Sequence, residues 1–354
     1  MKGLILSGGK GTRLRPITHT SAKQLVPVAN KPVLFYGIEA MAAAGIEEIG
    51  IIIAPETGAE ISAAAGDGSQ FGVSITYIEQ DRPGGLAHAS LTAETYLDGD
   101  AFVMYLGDNL LQGGITDLVE SFRASSPDAL ILLTPVDDPQ NYGVAELEGD
   151  RVKRLVEKPA EPATNLALVG VYMFTAGIHD AARAIQPSAR GELEITDAIQ
   201  YLVDEGRRVE PHIVRGWWKD TGRLDDILEA NRLVLDRIEA QIGGDLIDSQ
   251  CDGRVVVEMG AVLERTTVRG PAIIGAGARI SDAYIGPYTA IGANCVISRA
   301  EVEHSILLEG SEVSNLEGRM ESSLLGRNVT IARGERQPRA YRFMVGDNSE
   351  IGIL

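Results

Sequence analysis

The chain has 354 residues, with 32 Lys and Arg against 50 Asp and Glu, so its formal net charge at pH 7 is −18. This length is enough for two or three domains with full hydrophobic cores. A charge this negative argues against a nucleic-acid partner and against attraction to an anionic membrane. The two cysteines, Cys251 and Cys295, are too few for a disulfide framework, which favours a cytoplasmic protein. The apolar runs are too short for a signal peptide or a membrane span, so we expect no membrane association.

Residues 1 to about 240 alternate between apolar runs typical of strands and amphipathic stretches typical of helices. The predicted strands are 3–6, 49–54, 73–79, 101–106, 129–135, 143–147, 151–157, 169–174 and 209–214, and the predicted helices are 30–45, 85–97, 194–205 and 224–238. This alternation predicts an α/β domain with a Rossmann-like, mixed but mostly parallel sheet covered on both faces. The pair Gly243-Gly244 predicts a domain boundary, so we assign residues 1–242 to this domain.

A glycine-rich segment follows the first predicted strand and contains Gly8, Gly9, Gly11, Thr12 and Arg13. Glycines let the backbone approach a polyanion and point its N–H groups at it, and basic side chains neutralise the bound charge. The segment matches neither a Walker A loop nor the dinucleotide fingerprint, which disfavours a nicotinamide enzyme. It therefore predicts a phosphate-binding loop of another kind, with a plain tight turn as the alternative.

Three further segments place polar side chains near this loop. Lys23 and Gln24 add a cation beside an amide that could read a base edge. Gln80 and Asp108 follow two predicted strands, and the carboxyl ends of parallel strands meet at one edge of a sheet. Asp220 lies before the helix predicted at 224–238. Two carboxylates on the same edge as a polyanion loop predict a Mg²⁺ site, whereas capping of a turn is the alternative for either one.

The segment after residue 140 predicts a site for a sugar phosphate. Lys158 lies at the end of a predicted hairpin strand beside Glu157, and a lysine ammonium suits a phosphate monoester, although a solvated ion pair is the alternative. Arg190 precedes a helix and could reach the same phosphate, while Tyr142 and Gly143 suit a sugar hydroxyl face. No covalent nucleophile is indicated, because an anionic sugar phosphate can attack by itself when it is positioned and its charge is neutralised. For His19 and His88 we expect a surface or packing role.

The sequence becomes repetitive after residue 250. Aliphatic residues recur every six positions at Val256, Val262, Val268, Ile274 and Ile280, and after a one-residue slip at Ile285, Ile291 and Ile297. This period is typical of a parallel β-helix whose stacked coils share one core. We assign 250–335 to a hexapeptide-repeat left-handed β-helix, in which Leu324, Leu325 and Ile331 predict one more coil, and 336–354 to a C-terminal tail.

Taken together, the motifs resemble those of the sugar-1-phosphate nucleotidyltransferases, most closely the longer glucose-1-phosphate thymidylyltransferases that end in a β-helix. The motifs are Gly8-Gly9-Lys10-Gly11-Thr12-Arg13-Leu14-x-Pro16, Lys23-Gln24-Leu25-x-Pro27, Leu106-Gly107-Asp108-Asn109, Glu157-Lys158-Pro159, Arg190-Gly191-Glu192-Leu193-Glu194-Ile195-Thr196-Asp197 and Trp218-x-Asp220-Thr221-Gly222. The resemblance covers essentially the whole chain.

The resemblance implies that glucose 1-phosphate attacks the α-phosphate of dTTP and that dTDP-glucose and pyrophosphate are released. It implies that Asp108 and Asp220 hold Mg²⁺ and that Arg13 and Lys23 contact the triphosphate. It further implies that the pyrimidine is read by Gln24, Gln80 and Gly85, and that glucose 1-phosphate is held by Tyr142, Gly143, Glu157, Lys158 and Arg190. The residues expected to be catalytic are Arg13, Lys23, Asp108 and Lys158.

Some alternatives stay open. UTP or another sugar 1-phosphate would support the same chemistry, and a non-catalytic regulatory or assembly subunit is a further alternative. The segment Leu168-Val169-Gly170 departs from the Thr-Gly of the short enzymes, and their second nucleotide site is not carried over. The β-helix resembles that of acetyltransferase relatives, but its one histidine, His304, has no catalytic setting. We therefore interpret the β-helix as an assembly or regulatory module and expect a homo-oligomer.

Overall fold

The structure is a computed structural model that describes residues 1–9, 11–19 and 21–333. The tail predicted at 336–354 lies outside the described residues. The chain divides into two compact units, of which the first is Met1–Arg237 and the second begins at Ile238. Of the helices in the described ranges, none combines the length and the hydrophobicity that crossing a bilayer requires.

The first unit alternates strands and helices, as the sequence pattern predicts. Its strands are β1 (Lys2–Leu6), β2 (Pro27–Val28), β3 (Lys31–Pro32), β4 (Glu48–Ile53), β5 (Ser74–Glu79), β6 (Phe102–Leu106), β7 (Asn109–Leu111), β8 (Ala129–Pro135), β9 (Gly143–Glu148), β10 (Arg151–Glu157), β11 (Leu166–Phe174), β12 (Val209–Ile213) and β13 (Trp218–Asp220). Its α-helices are α1 (Val33–Ala43), α2 (Gly58–Ala65), α3 (Leu86–Thr92), α4 (Glu94–Leu97), α5 (Thr116–Ser125), α6 (Gly177–Ala184), α7 (Ile195–Asp204) and α8 (Leu224–Leu235). The single helix predicted at 85–97 is thus two helices, which are separated at Ala93.

The main sheet has a parallel half and an antiparallel half. Its order is β10-β9-β11-β6-β1-β4-β5, with β8 beside β11 and β12 beside β8. Strands β6, β1, β4 and β5 run parallel to one another, whereas β11 runs antiparallel to β6, β8 and β9. The sheet is therefore mixed, and its parallel half is the part that carries the glycine-rich loop.

Helices cover both faces of this sheet, and each face has its own core. Leu4 and Leu6 point into one core with Phe102, while Ile5 points into the other with Tyr105. Successive side chains of a strand alternate between the two faces, so a strand that is covered on both sides is apolar at every position. This explains the uninterrupted apolar runs in the sequence.

The second unit is a parallel β-helix. Its strands are β14 (Gln241–Ile242), β15 (Asp245–Ile247), β16 (Gln250–Asp252), β17 (Val255–Val257), β18 (Val262–Glu264), β19 (Thr267–Arg269), β20 (Ala272–Ile274), β21 (Arg279–Ser281), β22 (Tyr284–Ile285), β23 (Thr289–Ile291), β24 (Val296–Ser298), β25 (Glu301–Glu303), β26 (Ile306–Leu307), β27 (Glu312–Ser314), β28 (Arg319–Glu321), β29 (Leu324–Leu325) and β30 (Thr330–Ala332). Every third strand pairs in parallel, which forms three sheets along the coils. The first coil starts at Gln241, before the hexapeptide pattern becomes visible at residue 250, and the extra coil predicted from Leu324 is present.

The predicted repeat is wrong at two positions, where the residue that points into the β-helix is the next one along the chain. Val256 and Val262 are only partly buried, whereas Val257 and Leu263 lie in the core. Val262 pairs with Arg279, 17 residues further along the chain, whereas later coils differ in length: Ala290 pairs with Ile306 and Ile306 with Leu324. A coil of 17 residues cannot hold three equal six-residue steps, so the phase of a strict six-residue period is wrong for part of the repeat.

Candidate active site

The glycine-rich loop leaves the carboxyl end of β1 and packs against the segment that carries Lys23. A Cβ atom added at Gly9 would lie 2.9 Å from the Cε of Lys23, and one at Gly11, where φ is +61°, would lie 2.9 Å from its Cβ. Glycine is therefore required at Gly11, where φ is positive and the neighbour is the Lys23 Cβ, whereas a Cβ at Gly9 would displace only the end of the Lys23 side chain. Thr12 and Arg13 follow in a short 3₁₀ turn, Thr12–Leu14, which places the Arg13 side chain at a cavity described below. Lys10 lies outside the described residues.

Lys23 and Asp108 form a buried ion pair at this edge of the sheet. The ammonium of Lys23 donates a hydrogen bond to Oδ2 of Asp108, which follows β6. Burial by itself would raise the pKa of Asp108 and lower that of Lys23. The opposite charge and the shared hydrogen bond outweigh burial, so the pKa of Asp108 is lowered and that of Lys23 is raised. Both groups are therefore charged at neutral pH.

Asp220 lies next to this pair because β7 and β13 form a two-stranded antiparallel ribbon. In this ribbon Asp220 is opposite Asn109, the residue after Asp108. Burial and the negative charge of Asp108 raise the pKa of Asp220 to about 7. Its Oδ1 atom is buried and accepts no hydrogen bond from the described residues. A buried carboxylate oxygen without a partner, beside a second carboxylate, is a suitable donor set for a hard divalent cation.

The described residues contain no group of three or more His, Cys, Asp or Glu that could hold a metal by themselves. Mg²⁺, by contrast, takes one or two carboxylates and completes its shell with phosphate oxygens and water. Asp108 and Asp220 therefore fit a Mg²⁺ ion that is bound together with a nucleotide.

A cavity of about 650 Å³ opens beside Asp220. Its walls include all five residues predicted to hold the sugar phosphate, namely Tyr142, Gly143, Glu157, Lys158 and Arg190, together with Arg13. A Cβ atom on Gly143 would lie 2.7 Å from the hydroxyl of Thr196 and 3.2 Å from Glu157, so a larger residue would fill this corner. The cavity is large enough for a hexose phosphate and lined by groups that bind hydroxyls and anions.

Ion pairs and a hydrogen bond hold Arg190 and Glu157 in place at this cavity. One guanidinium nitrogen of Arg190 lies 2.8 Å from Glu194 and 3.2 Å from Glu157. Glu157 also accepts a hydrogen bond of 2.7 Å from Thr196. Lys158 has a positive φ of 43°, and its backbone N–H donates to the carbonyl oxygen of Tyr142 over 3.0 Å. A non-glycine residue in this conformation is strained and is common at functional sites.

The three residues predicted to read the base are not equivalent. Gln80 adjoins the glycine-rich loop, since a Cβ atom on Gly8 would lie 3.3 Å from the Oε1 of Gln80. Gly85 contacts Gln80, whose side-chain nitrogen lies 3.4 Å from the Gly85 carbonyl oxygen. Gln24 is 1% exposed, and its Oε1 is buried without a hydrogen-bond partner among the described residues. None of the three lines the 650 Å³ cavity. Any base contact of Gln24 therefore requires this side chain to become accessible.

Several residues at the site were not singled out by the sequence reasoning. Asn109 and Trp218 both line the cavity, as do Thr196, Glu194 and Arg223. The sequence contained one indication of their role, which is that each of them lies within a quoted motif or directly beside one. For His88 a surface or packing role was expected, but its Nδ1 lies 2.9 Å from the amide nitrogen of Gln80. Its place one helical turn after Gly85 was the only local signal for this contact.

The fold is that of a nucleotidyl transferase. The family model described as "Nucleotidyl transferase" matches residues 2–237, and the chain belongs to this family. The glucose-1-phosphate thymidylyltransferase of Streptomyces antibioticus is 56% identical over 356 residues, which cover 100% of this chain and 99% of that protein. The protein of the same description from Streptomyces griseus is 52% identical over 356 residues, with the same coverage.

A solved structure extends the similarity to three dimensions. It is a Bacillus anthracis protein, described provisionally as a glucose-1-phosphate thymidylyltransferase, in complex with sucrose. The two chains are 36% identical with a TM-score of 0.64, over 68% of this chain and 98% of the other. The family expected from the motifs is confirmed, and so is a mixed α/β domain followed by a parallel β-helix.

Proposed function

We propose that this chain is an enzyme that makes dTDP-glucose and pyrophosphate from dTTP and glucose 1-phosphate. The observation that carries the proposal is the arrangement of Lys23, Asp108 and Asp220 between the glycine-rich loop and the cavity lined by Glu157 and Arg190. The full-length relatives described as glucose-1-phosphate thymidylyltransferases support the choice of nucleotide and sugar.

In this proposal the protein positions two anions and neutralises their charge. The backbone of Gly8, Gly9, Gly11 and Thr12 cradles the triphosphate, beside the cations Arg13 and Lys23. Tyr142 and Gly143 face the sugar, Glu157 accepts hydrogen bonds from its hydroxyls, and Lys158 and Arg190 hold its phosphate.

The attacking oxygen of the sugar phosphate is already anionic, so the reaction requires no protein nucleophile. The sugar-phosphate oxygen forms a bond to the α-phosphorus as the bond from this phosphorus to the departing pyrophosphate breaks. The attacking oxygen and the leaving oxygen lie in line with the phosphorus. Mg²⁺, when it is bound by Asp108 and Asp220, neutralises charge on the phosphate oxygens. Asp108 is kept ionised by Lys23, which keeps one carboxylate of this pair ready to bind the cation.

We further propose that the first unit, Met1–Arg237, is the catalytic domain, that the β-helix serves assembly or regulation, and that the enzyme is a cytoplasmic homo-oligomer. The proposed location rests on the two cysteines, which are too few for a disulfide framework. Multi-angle light scattering of the full chain measures the assembly directly, and a monomer at micromolar concentration would contradict this part of the proposal.

The activity is tested with the purified full chain, Mg²⁺ and pairs of substrates. We expect pyrophosphate release and dTDP-glucose formation with dTTP and glucose 1-phosphate, and slower turnover with UTP or with N-acetylglucosamine 1-phosphate. Asp108→Asn should lower the rate at least about 100-fold, because it removes a charge that holds the cation. Asp150→Asn, in the exposed turn of the β9–β10 hairpin, is the matched control. No turnover with any pair would contradict an enzymatic role, and faster turnover with UTP would change the substrate assignment.

A further inference from the structure

Gln80 holds its side-chain amide in one defined orientation beside the glycine-rich loop. It follows β5, is 8% exposed, and donates its backbone N–H to the carbonyl oxygen of Ile53 over 2.9 Å. Its side-chain nitrogen lies 3.4 Å from the carbonyl oxygen of Gly85 and 2.9 Å from Nδ1 of His88. Two groups on the next segment of chain therefore contact the nitrogen side of the amide.

The chemistry of these two contacts decides which way the amide faces. A backbone carbonyl oxygen only accepts hydrogen bonds, so the NH₂ group of Gln80, not its oxygen, must face Gly85. The NH₂ group only donates, so His88 accepts at Nδ1 and is a neutral ring with its proton on Nε2. The Oε1 atom of Gln80 then faces the loop near Gly8, and it has no hydrogen-bond partner in the part of the chain that the structure describes.

His88 is itself held firmly. It lies in the first turn of α3, directly after Gly85, whose φ is +99°. A Cβ atom on Gly84 would lie 2.7 Å from the ring of His88, and one on Gly85 would lie 2.4 Å from the carbonyl oxygen of Leu193. Leu193 in turn accepts a hydrogen bond from Ala87 over 3.1 Å and donates one to Gly84 over 2.7 Å. The two glycines thus make room for the ring and fix the turn that carries it.

We propose that His88 is a positioning residue that turns the oxygen of Gln80 toward the nucleotide and so selects an imide base, thymine or uracil, over cytosine. Thymine and uracil present an N3–H donor at their pairing edge, whereas cytosine presents a bare N3 acceptor. An amide oxygen fixed in this orientation accepts a hydrogen bond from the N3–H of thymine or uracil but is repelled by the bare N3 of cytosine. With cytosine, both buried acceptors would stay unpaired, which is strongly disfavoured. The inference rests on the proposed function and on the role in reading the pyrimidine that the resemblance implies for Gln80.

The test compares kcat/KM for dTTP and for dCTP, with glucose 1-phosphate as the second substrate. His88→Leu has a side chain of similar reach that cannot accept a hydrogen bond. Only the longer contact of 3.4 Å with the Gly85 carbonyl oxygen then holds the amide, so its NH₂ group can turn toward the base more easily. We expect the preference for dTTP over dCTP to fall about tenfold or more. His88→Gln offers an acceptor oxygen again and should restore most of the preference. Thr92→Val is the matched control, because the Thr92 hydroxyl contacts only the backbone oxygen of His88, over 2.9 Å.

A purely structural role for His88 would lower kcat/KM for both nucleotides equally and leave their ratio unchanged, and that result would overturn the inference. A wild-type enzyme without preference between dTTP and dCTP would overturn it as well. Calorimetric binding of dTTP and dCTP in the presence of Mg²⁺ measures the same preference without turnover. If the wild-type chain prefers dTTP in binding but makes no sugar nucleotide, the proposed function fails while the assignment of His88 is still judged by the variants.

Discussion

The indole N–H of Trp218 donates a hydrogen bond of 2.6 Å to the side-chain oxygen of Asn109. The amide nitrogen of Asn109 donates in turn to Oδ1 of Asp108 over 3.0 Å. The ring of Trp218 also packs edge-on against Tyr142, with 5.5 Å between the ring centres. A continuous chain of contacts therefore leads from the wall of the sugar cavity to the carboxylate proposed to hold Mg²⁺.

Trp218→Phe keeps the aromatic packing but removes the donor to Asn109. We expect the Mg²⁺ concentration for half-maximal rate to rise and the maximal rate to fall, by about 10-fold to 100-fold in total, because groups behind a metal ligand fix its orientation. Rates across a Mg²⁺ titration measure both effects. Trp217→Phe, at the neighbouring position of the chain, is the matched control, and equal effects of the two variants would argue against this role of the indole N–H.

Asp220→Asn separates the catalytic role of Asp220 from a structural one. The amide has the shape of the carboxylate but neither its charge nor its repulsion with Asp108, which contributes to the raised pKa of Asp220. We expect a rate at least about 100-fold lower, together with an unfolding temperature no lower than that of the wild type without Mg²⁺. Differential scanning fluorimetry should also show that Mg²⁺ with dTTP stabilises the wild type more than the variant. A less stable variant would mean that the charge of Asp220 supports the fold.

Ile297 and Val296 are adjacent residues of β24 that point to opposite sides of the coil wall. Ile297 is fully buried, while Val296 is 38% exposed. Ile297→Ala should lower the free energy of unfolding of the β-helix by about 2–5 kcal/mol, because it leaves a cavity between stacked coils. Val296→Ala should lower it by about 1 kcal/mol or less. Denaturant unfolding measures both, and similar losses would contradict the assigned direction of the two side chains.

His179 is a buried histidine away from the proposed site. Because its ring is buried, we expect the chain to lose stability in mild acid. His179 is 3% exposed and stacks on Phe102, with 5.7 Å between the ring centres. Burial lowers the pKa of His179 below its ordinary value of 6.5, so the folded chain binds a proton here less readily than the unfolded chain. The contribution of the neutral His179 ring to the free energy of unfolding is complete above about pH 6.5. It is lost as the pH falls toward the lowered pKa of His179 in the folded chain. Unfolding temperatures between pH 7.5 and pH 5 should therefore fall less for His179→Leu than for the wild type, and parallel curves would contradict the prediction.

The sequence predicted β1, β4 and β6 well, because each of them is buried along most of its length and reads as one apolar run. The edge strand β5 has no fully buried residue and was predicted from its apolar residues alone. The sequence also predicted the loop at Gly8 and the acid at Asp108, since both directly follow a buried strand. It was wrong about the phase of Val256 and Val262, because coils of 17 residues do not keep a strict period. It also expected only a packing or surface role for His88, whose contact with Gln80 depends on a turn that Leu193 holds from a distant part of the chain.

The sequence alone determined the class of fold and the edge of the sheet where charged groups gather, since both follow from local hydrophobic patterns and from the shared direction of parallel strands. Only the tertiary structure decided which of these groups meet. The placement of Asp220 opposite Asn109, the contact of Trp218 with Asn109 and the orientation of the Gln80 amide all join side chains from separate segments. Such contacts depend on how the segments pack, and no periodicity within one segment encodes them.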